Sequence, residues 1–132
     1  MAKKPAIQMS KADHSALLRL IDSAPENLIT DQLAEELDRA RVVPDHRLPD
    51  DIVAIGSTVT FTVQSTGKTF TYQLVFPAEL DNTEHKLSVL SPVGSAIIGL
   101  RPGQSIDWHI SHAQSTVVTV NEVAPASGQN PS

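Results

Sequence analysis

Apolar residues recur every three to four positions in the first third of the chain and every second position beyond Val59, so a helical habit gives way to an extended one. Between Ser10 and Ile21, Leu17, Leu20 and Ile21 share one helical face, and Ser10 with Asp13 three residues on forms a candidate N-terminal cap. The run Asp22-Ser23-Ala24-Pro25-Glu26-Asn27 interrupts that period. Thr30 is then placed to cap a second helix, in which Ile29, Leu33, Leu37 and Ala40 line one face while Glu35 and Arg39 make an outward pair four residues apart. Two amphipathic helices joined by a short Pro-containing link predict an antiparallel helical hairpin, a short coiled coil, over residues 1–43. At 1.5 Å per residue, helices of about twelve residues span about 18 Å and are marginal alone in water. Such a hairpin either packs against a body behind it or projects as an arm.

Pro44, Pro49 and the pair Asp50-Asp51 mark a linker over residues 44–51, with Val43 at its start. Beyond it Val59, Phe61 and Val63 alternate with threonines, Ser65-Thr66-Gly67-Lys68 supplies a turn, and Phe70, Tyr72, Leu74 and Phe76 alternate on the return, which predicts a β-hairpin. Leu87 to Leu90, Ile106 to Ile110 and Thr116 to Val123 read as three shorter strands. Between them, Gly94 to Leu100 is the one helix candidate, with Ala96, Ile97 and Leu100 on the face turned to the sheet and Gly99 able to end it. Antiparallel strands with one short helix over residues 52–124 make the fold class α+β. The tail over 125–132, rich in Pro, Gly, Ser and Asn, has nothing to bury and is expected to be disordered.

Composition narrows the function. With 132 residues and no cysteine, the chain is large enough for a packed core and has neither disulfides nor thiolate metal sites. Lys3 and Lys4 are followed by Pro5 and Gln8 rather than an apolar run, and no stretch reaches the roughly 18 apolar residues of a membrane span, so the expected location is cytoplasmic. Net charge is −5 and the basic residues are scattered, which argues against a phosphate-gripping stripe. Only Trp108, Tyr72, Phe61, Phe70 and Phe76 could stack on bases. No direct nucleic-acid readout, membrane contact or small-molecule substrate is expected; the partner is a protein.

From Ser91 onward the chain reads Ser-Pro-Val-Gly-x-Ala-Ile-Ile-Gly-x-x-x-Gly-x-x-Ile, a strand end, a helical turn and a Gly-bounded turn leading into the next strand. This cassette resembles the C-terminal domain of the bacterial transcript cleavage factors GreA and GreB, and the similarity extends over about Asp51 to Val123, including Val-Phe-Pro-Ala-Glu-Leu at Val75 to Leu80. In overall layout the chain is similar to the Rnk family of regulators of nucleoside diphosphate kinase, whose helix end Ala-Glu-Leu-Asp-Arg-Ala stands here as Ala34-Glu35-Glu36-Leu37-Asp38-Arg39-Ala40. The resemblance implies an FKBP-like domain behind a helical hairpin and RNA polymerase as the partner. In Gre factors the globular domain holds the polymerase at the rim of its secondary channel, while a long coiled coil carries acidic residues that help bind a magnesium ion at the catalytic centre. A hairpin of about 18 Å falls short of that centre, so the expectation is a non-enzymatic transcription regulator that competes with Gre factors without cleaving transcripts.

Ser91, Pro92, Val93 and Gly94 are the candidate partner-binding loop, because the matching loop of the Gre factors lies on the face that grips the polymerase. The same residues also suit a strand-to-helix turn, with Ser capping and Pro fixing its dihedral. Asp22 and Glu26 in the hairpin turn are a second candidate contact. A carboxylate pair can hold magnesium with help from water and phosphate, yet acidic residues in a polar turn are commonly only solvated. No catalytic residue, metal site or cofactor is expected. His109 and His112 have opposite-facing spacing on a strand, and His14, His46 and His85 lie in polar surroundings. Trp108 reads as core. Two alternatives remain: an FKBP-like prolyl isomerase, for which five aromatics make a poor cup, and a direct modulator of nucleoside diphosphate kinase.

Overall fold

The computed structural model describes residues 6–80, 85–109, 111 and 113–125. The chain opens with a short strand, β1 (Gln8–Ser10), leading straight into helix α1 (Lys11–Ser23); α2 (Leu28–Arg39) follows and runs into β2 (Arg41–Val43). As expected, Ser10 caps α1, its Oγ accepting from the Asp13 N–H at 3.1 Å. The cap of α2 lies three residues earlier than its sequence pattern indicated. Asn27 is the capping residue, and Thr30 closes a reciprocal box with it, Asn27 Oδ1 accepting from Thr30 N at 3.0 Å and Thr30 Oγ1 accepting from Asn27 N at 2.9 Å. His14 Nε2, at the start of α1, lies 2.9 Å from the Leu37 carbonyl near the end of α2, so the two helices are antiparallel.

A feature with no trace in the hydrophobic pattern brackets this hairpin: β1 pairs in parallel with β2, Met9 opposite Val42. Strands of three residues are too short to show a period. The expected outward pair Glu35–Arg39 also gives way to another. Arg39 instead donates to Glu36, from Nε to Oε2 at 3.0 Å and from Nη2 to Oε1 at 2.6 Å, and Glu36 is wholly buried. Burial of a carboxylate in such a place requires this kind of bidentate partner.

After the linker come β3 (Thr58–Val63), β4 (Lys68–Val75), β5 (Lys86–Ser88), α3 (Pro92–Ile97), β6 (Ser105–His109) and β7 (Ser115–Ala124). They form a five-stranded sheet in the order β5-β4-β3-β7-β6. The β3–β4 hairpin pairs Phe61 with Phe70 and Val59 with Tyr72, the register that the alternation requires. The expectation of a purely antiparallel sheet is corrected at one edge, where β5 lies parallel to β4. Val75 and Lys86 bound a connection far longer than a hairpin turn, as a parallel return requires. The outer face is polar: Thr60 pairs with Thr71 at 3.0 Å, Thr62 with Thr69 at 2.8 Å and Ser105 with Thr119 at 2.7 Å.

The inner face buries Val59, Phe61, Leu74, Ile106, Trp108, Val118 and Val120 against Ala96 and Ile97 of α3. Leu17, Leu33 and Leu37 of the helical hairpin, with Ile7 and Met9, belong to the same core. At about 2 kcal/mol for each fully buried Leu, these three outweigh anything that helix propensity supplies to helices of 13 and 12 residues. The hairpin therefore packs against the body. From residue 126 on, the tail expected to be disordered lies outside the described residues, as does His112.

Candidate functional site

The loop before α3 is specified atom by atom. Ser91 Oγ donates to the Ser88 carbonyl at 2.6 Å and accepts from the Gly94 N–H at 3.0 Å, which makes it the N-cap of α3 with Pro92 in the first turn. The helix therefore begins at Pro92, two residues before the expected Gly94, because cap and proline together start it. A Cβ on Gly94 would lie 2.0 Å from the Ser88 oxygen and 2.8 Å from Ser91 Oγ, so no side chain fits there. Behind the loop, Ser95 is fully buried; its Oγ donates to the Pro92 carbonyl at 2.9 Å and accepts from Trp108 Nε1 at 3.1 Å. Ser91, Pro92 and Val93 are half-buried, Val93 packing partly against the core, and they form the partly exposed ridge of the loop, whereas Gly94 is buried.

Asp22 and Glu26 are both exposed, one at the end of α1 and the other in the link to α2. Among the described residues, no group of three His, Cys, Asp or Glu is arranged to hold a metal ion.

A seam of hydrogen bonds joins the hairpin to the linker and the sheet. Gln32, buried on α2, uses both ends of its amide on one residue of β6: Nε2 donates to the His109 carbonyl at 3.0 Å and Oε1 accepts from the His109 N–H at 3.1 Å. On the other side Asp13 Oδ2 accepts from the Ile55 N–H at 3.0 Å, and Asp45 Oδ1 accepts from the Ala12 N–H at 2.9 Å. Burial raises the Asp13 pKa above its ordinary 3.8; the Ile55 hydrogen bond opposes the rise and the nearby Asp45 charge adds to it. Gly99, at φ +84°, lets the N-terminal segment cross closely, for a Cβ there would meet Ile7 Cβ at 2.8 Å. Its expected role was to end a helix, but α3 ends at Ile97 and the glycine serves the crossing as well. Sequence reasoning missed Gln32, Asp13 as a bridge, Asp45 and Ser95; only Gln32 gave a signal, as a polar residue one position from Leu33 on the inward face.

Four of the five aromatics fall into two groups. Phe61, Phe70 and Tyr72 pack with centroids 5.8 to 6.1 Å apart, and Tyr72 meets the His85 ring at 6.2 Å. Trp108 is committed to Ser95 beneath α3.

Family comparisons divide the chain in the same place as its hydrophobic pattern. A model of the Rnk N-terminus matches residues 5–43, and one described as transcription elongation factor GreA/GreB, C-terminal, matches residues 48–125. The Escherichia coli (strain K12) regulator of nucleoside diphosphate kinase is 39% identical over 95 residues, covering 72% of this chain and 70% of that one. The chain belongs to the Rnk family. Its C-terminal domain is of the GreA/GreB kind: transcription elongation factor GreA of Syntrophus aciditrophicus is 40% identical over 78 residues, which are 59% of the Rnk-family chain and 48% of GreA. The chain thus matches about half the length of such GreA relatives. A solved structure of a prokaryotic transcription elongation factor GreA/GreB from Nitrosomonas europaea superposes with a TM-score of 0.71 at 36% identity, covering 92% of this chain and 99% of that one. No helix among the described residues of the Rnk-family protein is long and apolar enough to cross a membrane.

Proposed function

We propose that this protein is a non-enzymatic transcription regulator that binds RNA polymerase near the secondary channel and competes there with Gre factors without cleaving transcripts. The observation that carries the reading is a GreA/GreB-type domain joined to a hairpin whose helices have only 13 and 12 residues. The longer helix is about 20 Å long, and both helices are tied to the domain behind them, α2 by Gln32 to β6 and α1 by Asp13 to Ile55, so the hairpin has neither the length nor the freedom to carry carboxylates deep into a channel. Residues 1–43 and 52–124, joined by 44–51, act in this reading as one unit that occupies the channel entrance. The ridge Ser91-Pro92-Val93 beside Gly94 is the docking surface, its turn held by the Ser91 cap, by Pro92 and by the Ser95–Trp108 hydrogen bond behind it. Asp22 and Glu26 face basic residues near the entrance and hold no catalytic metal.

Purified protein added to polymerase with a Gre factor should displace that factor and suppress its transcript cleavage, while producing no cleavage of its own. Failure to bind polymerase at micromolar concentration sinks the reading. The Escherichia coli relative's name, a regulator of nucleoside diphosphate kinase, supports a second reading in which that kinase is the target. Kinase activity measured with and without the protein separates a direct contact from an effect on transcription.

A further inference from the structure

We propose that the outer edge of β6 accepts an extended, basic segment of a partner protein as a sixth strand, laid beside the acidic face of α2. The inference does not depend on the polymerase reading and does not use the Ser91–Gly94 ridge.

Ladder parity supplies the first argument. In an antiparallel pair, alternate residues bond to the neighbour and the residues between them point their N–H and C=O away. The register of β6 and β7 sets Ile106 opposite Val118 and Trp108 opposite Thr116, and Val120 N donates to the Gln104 carbonyl at 3.0 Å, so the even-numbered residues of β6 face β7. Ser105, Asp107 and His109 therefore direct their backbone groups outward. The His109 pair is already taken by the Gln32 amide, which meets it in the two-bond manner of an adjoining strand residue. No bond to the outward groups of Ser105 and Asp107 occurs among the described residues. Gln32 thus begins a strand-like contact that no other described residue continues. The common protections of an exposed edge, lysine or proline along it, are missing from Ser105 to His109.

Charge selects the occupant. A groove of about 600 Å³ runs between α2 and β6, lined by Asp31, Gln32, Glu35, Asp107, Trp108 and His109 among others. Three carboxylates border it, and no lysine or arginine is among its lining residues. A second copy of this chain would bring another acidic edge to the first, so self-pairing is disfavoured. An added strand that directs lysine or arginine at Asp31, Glu35 and Asp107 gains both main-chain bonds and opposite charge.

The test uses the full chain, isotope-labelled, and a short peptide alternating lysine and valine. Saturable shifts of the Ser105 and Asp107 amide resonances are expected, with no effect for the same peptide N-methylated on the face that would bond to β6. Asp31→Asn with Glu35→Gln should weaken binding about tenfold, and Asp107→Pro should abolish it, since the Asp107 N–H makes no bond to β7 that proline would remove. Equal binding of the methylated peptide shows attraction by charge alone and overturns strand addition. Equal binding of a glutamate–valine peptide overturns the assigned chemistry. No saturable shift at millimolar peptide, or a concentration-dependent dimer through β6, overturns the proposal as a whole.

Discussion

The loop at Ser88–Gly94 and the tip at Asp22–Asn27 are both short connections between regular elements, but they are built on opposite terms. The loop spends nearly every polar group internally: Ser88 accepts twice on its carbonyl, Ser91 caps, and Gly94 has no room for a side chain. The tip satisfies its backbone through the Asn27–Thr30 box and leaves the Asp22 and Glu26 carboxylates in water. A surface that recognises by shape needs the first construction, because an ordered ridge pays no ordering entropy on binding. One that acts through charge is served by the second, since long-range attraction tolerates mobile side chains.

The sharpest way to break this contrast is Gly94→Ala. Its Cβ would fall 2.0 Å from a backbone oxygen, so the loop or α3 must move; the expected cost is about 3 kcal/mol, the upper end for overpacking, read from urea unfolding. Polymerase binding should fall with it even where the protein remains folded. Gln32→Ala comes next. It removes two hydrogen bonds to His109 and should cost about 1–2 kcal/mol, with faster hydrogen exchange at the His109 amide and none at the Ser91–Gly94 loop.

Asp13 tests the seam through pH. Its carboxyl binds a proton more tightly in the folded protein than in the unfolded chain, so its contribution favours the fold most below its ordinary 3.8 and is lost as pH rises through the raised folded value. Asp13→Asn should flatten that part of the stability–pH curve while keeping an oxygen for the Ile55 N–H, and an NMR titration of Asp13 checks the direction directly. The smallest effect belongs to the tip: Asp22→Asn with Glu26→Gln should shift stability by no more than about 0.5 kcal/mol. What it should change is the salt dependence of polymerase binding; an unchanged salt dependence removes these carboxylates from the contact.

Much of the architecture was legible because it follows from local period. The alternation of Val59, Phe61 and Val63 with threonines fixed both faces of β3 and, through the turn at Ser65–Lys68, its register with β4. Ser10 and Trp108 behaved as their chemistry requires. The Ser91–Gly94 turn was also readable, though whether it binds a partner is not a matter of turn chemistry. What escaped was non-local or hidden by residue type. Gln32 and His109 meet across 77 residues, and no spacing rule connects them. Glu36 is a charged residue, a type rarely buried, yet it lies on the inward face beside Leu33 and Leu37, where its salt bridge with Arg39 helps make burial tolerable. The parallel pairs β1–β2 and β5–β4 escaped for the same reason that Gln8–Ser10 and Lys86–Ser88 are so short.

The pairing of β1 with β2 gives the hairpin a mechanical character. Its two feet stand side by side, Gln8 to Ser10 against Arg41 to Val43, and each foot runs directly into a helix. A lever swings on one pivot; this element is a strut clamped at both legs. Load applied at its tip is shared between two strands in shear, and the tip can be displaced only by flexing the helices themselves.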